Sequence, residues 1–189
     1  MPTYALALYF WVDADDTYFM RFELKRALFA MTFCFTFLLP LFNALILLRT
    51  KYINSLSMET KEERKIPLFA TAIFFSAEYY LLQKSGVAST LKLLVLSATI
   101  SVVLTLIINL FWKISAHMIG IGGVVGAMFA LSYICHFKDA EWLMIGLILL
   151  AGIIGMARLQ LKAHSPAEVF VGFIVGVMCP LVFWVRQLL

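Results

Sequence analysis

The chain has 189 residues, of which 63% are hydrophobic and only 14% charged, with a net charge of +4. A soluble domain is roughly half apolar and about a quarter charged, and one this small cannot hide such an excess in its core. These values exclude a water-soluble fold, a disordered tail and a disulfide scaffold, and point to an all-α integral membrane protein.

The chain opens on an apolar stretch, residues 4–12, too short to cross a bilayer and followed at once by Asp13, Asp15 and Asp16. It lacks the basic leader of a signal peptide. Residues 1–25 therefore read as an interfacial helix or as the tail of a span that begins further upstream, and the abrupt Met1-Pro2 start favours the tail. A helix needs about 20 apolar residues to cross the hydrocarbon. Residues 27–48, 66–82, 91–111, 118–135, 142–156 and 169–185 meet or approach this, free of Lys and Arg inside apart from Lys92. The expected architecture is one domain, residues 1–189, a polytopic bundle of about six antiparallel transmembrane helices.

Six spans place the connections 49–65, 112–117 and 157–167 on one face. The connections 21–26, 83–91 and 136–141, with the C-terminus, fall on the other. Eight of the 15 Lys and Arg lie on the first face and seven on the second, which fixes no orientation under the positive-inside rule. The first face carries more cations than topology requires. In short loops such residues are topology signals or phosphate ligands, so no nucleic-acid partner is expected. Cys34, Cys135 and Cys179 lie in or at the ends of apolar runs and read as buried, inert thiols.

Two of the three histidines, His117 and His164, fall on the first face, each at the start of an apolar helix, close to Lys113, Ser115, Arg158, Lys162 and Glu168. His136 falls on the opposite face and reads as a solvated loop residue. His164 and Glu168 are four apart and share a helix face. A carboxylate in reach of one imidazole nitrogen fixes the tautomer and makes the other nitrogen more nucleophilic. Pro166 suits a first helical turn, whose free N–H groups favour an anion. Gly122-x3-Gly126 and Gly172-x3-Gly176 permit close backbone approach in lipid. If those two helices pack together, their N-termini bring His117 and His164 into one pocket. Asn43, Glu78 and Asn109, polar residues inside spans, are expected to make interhelical hydrogen bonds.

These residues resemble the type 2 phosphatidic acid phosphatases, membrane relatives of the vanadium haloperoxidases, over roughly residues 60–180. The family's third motif, S-R-x5-H-x3-D, reads here Ala157-Arg158-x5-His164-x3-Glu168. Its second, P-S-G-H, reads Ile114-Ser115-Ala116-His117. Its first, K-x6-R-P, is echoed by Lys61-Glu62-Glu63-Arg64-Lys65-Ile66-Pro67. Ala157, Glu168 and Ala116 stand where the family has Ser, Asp and Gly.

The resemblance implies metal-independent hydrolysis of a phosphate from a membrane lipid phosphate or diphosphate, with no cofactor. His164 would be the nucleophile that forms a phosphohistidine, Glu168 its orienting carboxylate, and His117 the general acid and base. Arg158 and Ser115 would hold the phosphate together with Lys61, Arg64 or Lys65. The implied setting is a bacterial inner membrane with the site facing the periplasm or exterior. The implied substrates are undecaprenyl diphosphate, phosphatidylglycerophosphate, phosphatidic acid or a lipid A phosphate. The competing expectation is a non-catalytic lipid- or anion-binding or transport protein that keeps this fold. The sequence leaves the oligomeric state open.

Overall fold

The computed structural model describes residues 2–12, 20–58, 60–135 and 140–188. They form helices α1 (Pro2–Trp11), α2 (Phe22–Arg49), α3 (Lys61–Lys84), α4 (Ser89–Phe111), α5 (Ala116–Cys135), α6 (Ala140–Gln160) and α7 (Pro166–Leu188). No strand occurs among the described residues. His136 and the side chain of Cys135 lie outside the described part. Cys34 is half-buried and Cys179 buried, both as free thiols.

Five helices are long and apolar enough to cross a membrane, namely α2, α4, α5, α6 and α7, so the chain is a multi-pass membrane bundle. The expected span at 66–82 lies within α3. That helix has the length, with 24 residues, but Glu78, Tyr79, Tyr80 and Gln83 lower its apolarity. Glu78 faces inward and is fully buried.

The bundle is built around α5. The α5 span is 61% buried, whereas the α6 span is 17% buried. The most extensive contact in the fold joins α5 to α7, and α1, α4 and α6 also pack on α5. The four glycines singled out by spacing form the α5–α7 seam. A Cβ on Gly122 would strike the Phe173 carbonyl oxygen and one on Gly126 that of Val177. One on Gly172 would lie 2.9 Å from the Ser115 carbonyl oxygen, and one on Gly176 would lie 2.9 Å from the Gly123 nitrogen. Only hydrogen fits there, and in lipid such backbone approach is what joins helices.

The other helices complete the wall. α3 and α4 form a hairpin, and α2 packs on α3. Within α2, Cys34–Leu38 forms a single π-turn in which the Leu39 N–H bonds the Cys34 carbonyl. It sits just before Pro40, which cannot donate to the helix ladder. α1 packs into the bundle through buried Ala5, Leu6 and Tyr9. A cavity of about 290 Å³ lies between α1, α3, α4 and α5 and reaches Ala116. Ser101 and Thr105 on its wall donate to the carbonyls of Ser97 and Ser101 on their own helix, at 2.8 and 2.6 Å. The wall is therefore less polar than its sequence.

Candidate functional site

The starts of α3, α5 and α7 and the end of α6 meet at one end of the bundle. Each is fixed by its own local chemistry. The α7 start is a capping box: the Glu168 N–H donates to Ser165 Oγ and the Ser165 N–H donates to Glu168 Oε2, each at 3.4 Å, with Pro166 at the first helical position. This turns the Glu168 side chain back along the chain, where the same Oε2 lies 2.6 Å from His164 Nδ1. A carboxylate only accepts, so Nδ1 carries the hydrogen and Nε2 keeps its lone pair. His164 is buried.

The α6 end is set by a left-handed residue, Lys162, at φ 51°. Its N–H donates to the Leu159 carbonyl at 2.9 Å, and the Ala163 N–H donates to the Arg158 carbonyl at 3.1 Å. This is the paired-bond pattern that ends many helices. It folds the chain back between Arg158 and His164. Arg158 is half-buried, and its Nε has no hydrogen-bond partner among the described residues.

The α5 start is tied to α7 through backbone. The Ser115 N–H donates to the Glu168 carbonyl at 3.4 Å, and the Ser115 carbonyl accepts from the Ile119 N–H at 3.0 Å. Ser115 is fully buried, and its hydroxyl has no partner among the described residues. His117 follows in the first turn of α5, exposed. At the α3 start, Thr60 caps by accepting from the Glu63 N–H at 3.3 Å. Arg64 then reaches across the bundle end, donating from Nε to the Met58 carbonyl at 2.8 Å and from Nη1 to the Ile114 carbonyl at 3.0 Å. Lys113 donates to the Ala163 carbonyl at 3.0 Å.

The charges of these groups act on one another. His117 lies in the fields of Arg158, His164 and Arg64. Burial lowers the His164 pKa below the ordinary imidazole value. The Glu168 bond and charge oppose this, while Arg64 and Lys113 add to it. Burial also lowers the Arg64 pKa, with Glu168 opposing and Arg158 reinforcing, and the guanidinium remains charged. Three cations (Arg64, Lys113 and Arg158) thus lie around one carboxylate and two imidazoles, and the cluster attracts anions. Two donors inside it, Ser115 Oγ and Arg158 Nε, are buried without a hydrogen-bond partner among the described residues.

Six of the eight residues expected from sequence come together: His164, His117, Glu168, Arg158, Ser115 and Arg64. Lys61 and Lys65 do not join them through any described side-chain contact. The Lys61 carbonyl accepts from Asn109 Nδ2 at 2.8 Å, which is the interhelical bond expected of that asparagine. Lys65 is one residue past Arg64 and so points about 100° around the helix. Sequence reasoning missed the parts played by Ser165 and Lys113. Ser165-x-x-Glu168 was legible as a capping box, whereas nothing in the sequence pairs Lys113 with the Ala163 carbonyl. No family model matches the chain, and neither a curated protein nor a solved structure matches it significantly.

Proposed function

We propose that this protein hydrolyses a phosphate from a membrane lipid phosphate or diphosphate through a phosphohistidine, as the resemblance to the type 2 phosphatidic acid phosphatases implies. The observation that carries the reading is His164, whose Nδ1 is held by Glu168, with no hydrogen bond to its Nε2 among the described residues and with the ring in the fields of Arg64 and Lys113. An oriented, neutral imidazole amid excess positive charge is a nucleophile placed where an anionic phosphoryl group is attracted. The cavity reaching Ala116, next to His117, and the apolar helices around it support an amphiphilic substrate.

In the proposed sequence, His164 Nε2 attacks phosphorus as the ester P–O bond breaks. Protonated His117 gives its proton to the departing oxygen. His117 then takes a proton from water, whose oxygen displaces His164 and releases phosphate. Arg158, Arg64 and the Ser115 hydroxyl hold the phosphoryl oxygens as charge spreads over them, and Glu168 stabilises the imidazolium. The proposed bundle has six spans, with α3 as the sixth. The proposed setting is a bacterial inner membrane with this end facing the periplasm or exterior.

The test is phosphate release from short-chain phosphatidic acid, phosphatidylglycerophosphate and prenyl diphosphates by purified protein in detergent. Wild type should turn over at least one of them with chelator present. His164→Ala should abolish turnover and the acid-labile phosphoenzyme. Binding of these lipids without release from any of them would leave the non-catalytic binder as the better account.

A further inference from the structure

We infer that Lys113 is a positioning residue for the proposed reaction: it straps the α6–α7 turn in place and thereby holds His164 for attack, and it does not act as a phosphate ligand. Its Nζ donates to the carbonyl of Ala163 at 3.0 Å, and Ala163 directly precedes His164. The bond joins two connections 50 residues apart in sequence. One carries Ser115 and His117, and the other follows Arg158 and leads into His164.

Two other bonds tie the α4–α5 connection to its neighbours, Arg64 Nη1 to the Ile114 carbonyl and the Ser115 N–H to the Glu168 carbonyl. The first ends on the residue before Ser115, and the second joins Ser115 to Glu168. Of the three, the Lys113 bond alone reaches the residue next to His164 on its N-terminal side. The Glu168 carboxylate grips the ring from the C-terminal side. The two contacts divide the work: Glu168 sets ring rotation, and Lys113 sets where the backbone carrying the ring sits.

A cation so placed has an electrostatic consequence. The groups facing His164 are Glu168 from α7, Arg64 from α3, Lys113 from the α4–α5 connection and His117 from α5. Lys113 disfavours the imidazolium. Its removal therefore raises the His164 pKa, and less of the neutral nucleophile remains at mildly acidic pH.

The experiment uses the full chain in detergent micelles, with histidine ring nitrogens followed by NMR through a pH titration and turnover measured on a lipid phosphate. Lys113→Met should move the His164 titration to higher pH and move the acid limb of kcat the same way. It should also lower kcat on the order of tenfold, with KM little changed, because misplacement costs rate more than binding. Lys113→Arg, which keeps charge and donor, should retain the wild-type titration and turnover. Lys113→Gln, uncharged but polar, is the second variant and should show the same upward shift. An unmoved His164 titration in both uncharged variants overturns the inference. So does a tenfold rise in KM at unchanged kcat, which would make Lys113 a phosphate ligand. The kinetic arm rests on the phosphatase reading but the titration does not: a wild type without turnover whose His164 still shifts in Lys113→Met removes that reading and leaves the strap in place.

Discussion

Helices α5 and α6 are neighbours in sequence, and both are apolar enough to span a bilayer, yet α5 lies in the interior and α6 is largely uncovered. Lipid chains are as apolar as leucine, so apolarity does not drive one helix onto another, and close approach of small residues does. The glycines show the difference. Gly122 and Gly126 of α5 lie against the backbone of α7, whereas Gly146 and Gly152 of α6 have nothing within 4 Å of an added Cβ. A glycine in a membrane helix carries packing information only where another backbone faces it. The helix that wins the centre also carries His117 at its start, and its partner α7 carries Glu168. The seam that orders the bundle therefore aligns the candidate site.

The comparison breaks most easily at the glycines. A Cβ at position 176 would strike the Ile119 carbonyl oxygen and lie 2.9 Å from the Gly123 nitrogen, and backbone cannot step aside as a side-chain tip can. Gly176→Leu should cost roughly 3 kcal/mol or more, at or beyond the upper end of ordinary overpacking. It should be seen as loss of monodisperse protein and of the thermal transition. Gly152→Leu puts the same side chain into open space on α6 and should leave both unchanged. Equal damage from the two would show that the α5–α7 seam is not special.

A second, smaller effect sharpens what the seam is for. Glu168 bonds Ser115 through its backbone and His164 through its side chain, so a side-chain change should leave the seam intact. Glutamine can still complete the capping box with Ser165, but it cannot offset an imidazolium and can favour the wrong tautomer. Loss of the equivalent partner costs a serine protease about 10⁴ in rate. Glu168→Gln should lower turnover per folded molecule on the order of 10²-fold, about 2.7 kcal/mol in the barrier, with unfolding unchanged. Glu168→Asp should keep substantial activity. Near wild-type turnover in the glutamine variant would remove Glu168 from the site.

Much of this was legible in the chain. Five of the six apolar runs are helices long and apolar enough to cross a membrane, and the glycine pairs, which permitted close approach, lie in one seam. The spacing of His164 and Glu168 became a 2.6 Å bond, because four residues at the head of a helix leave two side chains little else to meet. Which of the three candidate cations joins the cluster was not legible. Lys61, Arg64 and Lys65 occupy one short stretch, and only the crossing of α3 over the Ile114 carbonyl singles out Arg64. Lys113 was on the right face but grouped with the cations read as phosphate ligands, and its strap was not legible, since its partner is a backbone carbonyl 50 residues away and every residue offers one. Glu78 was expected to face a neighbouring helix from inside a span, and it is buried as that requires.

The smallest effect lies at the end of α6, where the comparison predicts a weakness. A helix held by few side-chain contacts needs another device to place Arg158, and the left-handed turn at Lys162 supplies it. An L-residue at φ 51° bears a Cβ–carbonyl conflict of roughly 1–2 kcal/mol that glycine escapes. Against this, glycine frees the unfolded chain and gives up the interaction of a cation with the helix C-terminus, each worth up to about 1 kcal/mol. Lysine to glycine alone therefore mixes three effects. Comparing Lys162→Gly with Lys162→Ala removes the charge, which both lack, and leaves the Cβ conflict set against the smaller gain in unfolded-chain freedom. The glycine variant should be the more stable of the two by about 1 kcal/mol, or roughly 2–4 °C in Tm for a chain of this size. Turnover per folded molecule should be equal in both, since the bonds from Lys162 and Ala163 back to Leu159 and Arg158 use only backbone. A glycine variant less stable than alanine would show that position 162 is not left-handed in the folded protein. Arg158 would then be placed by the packing of α6, and the two helices would differ less than their burial implies.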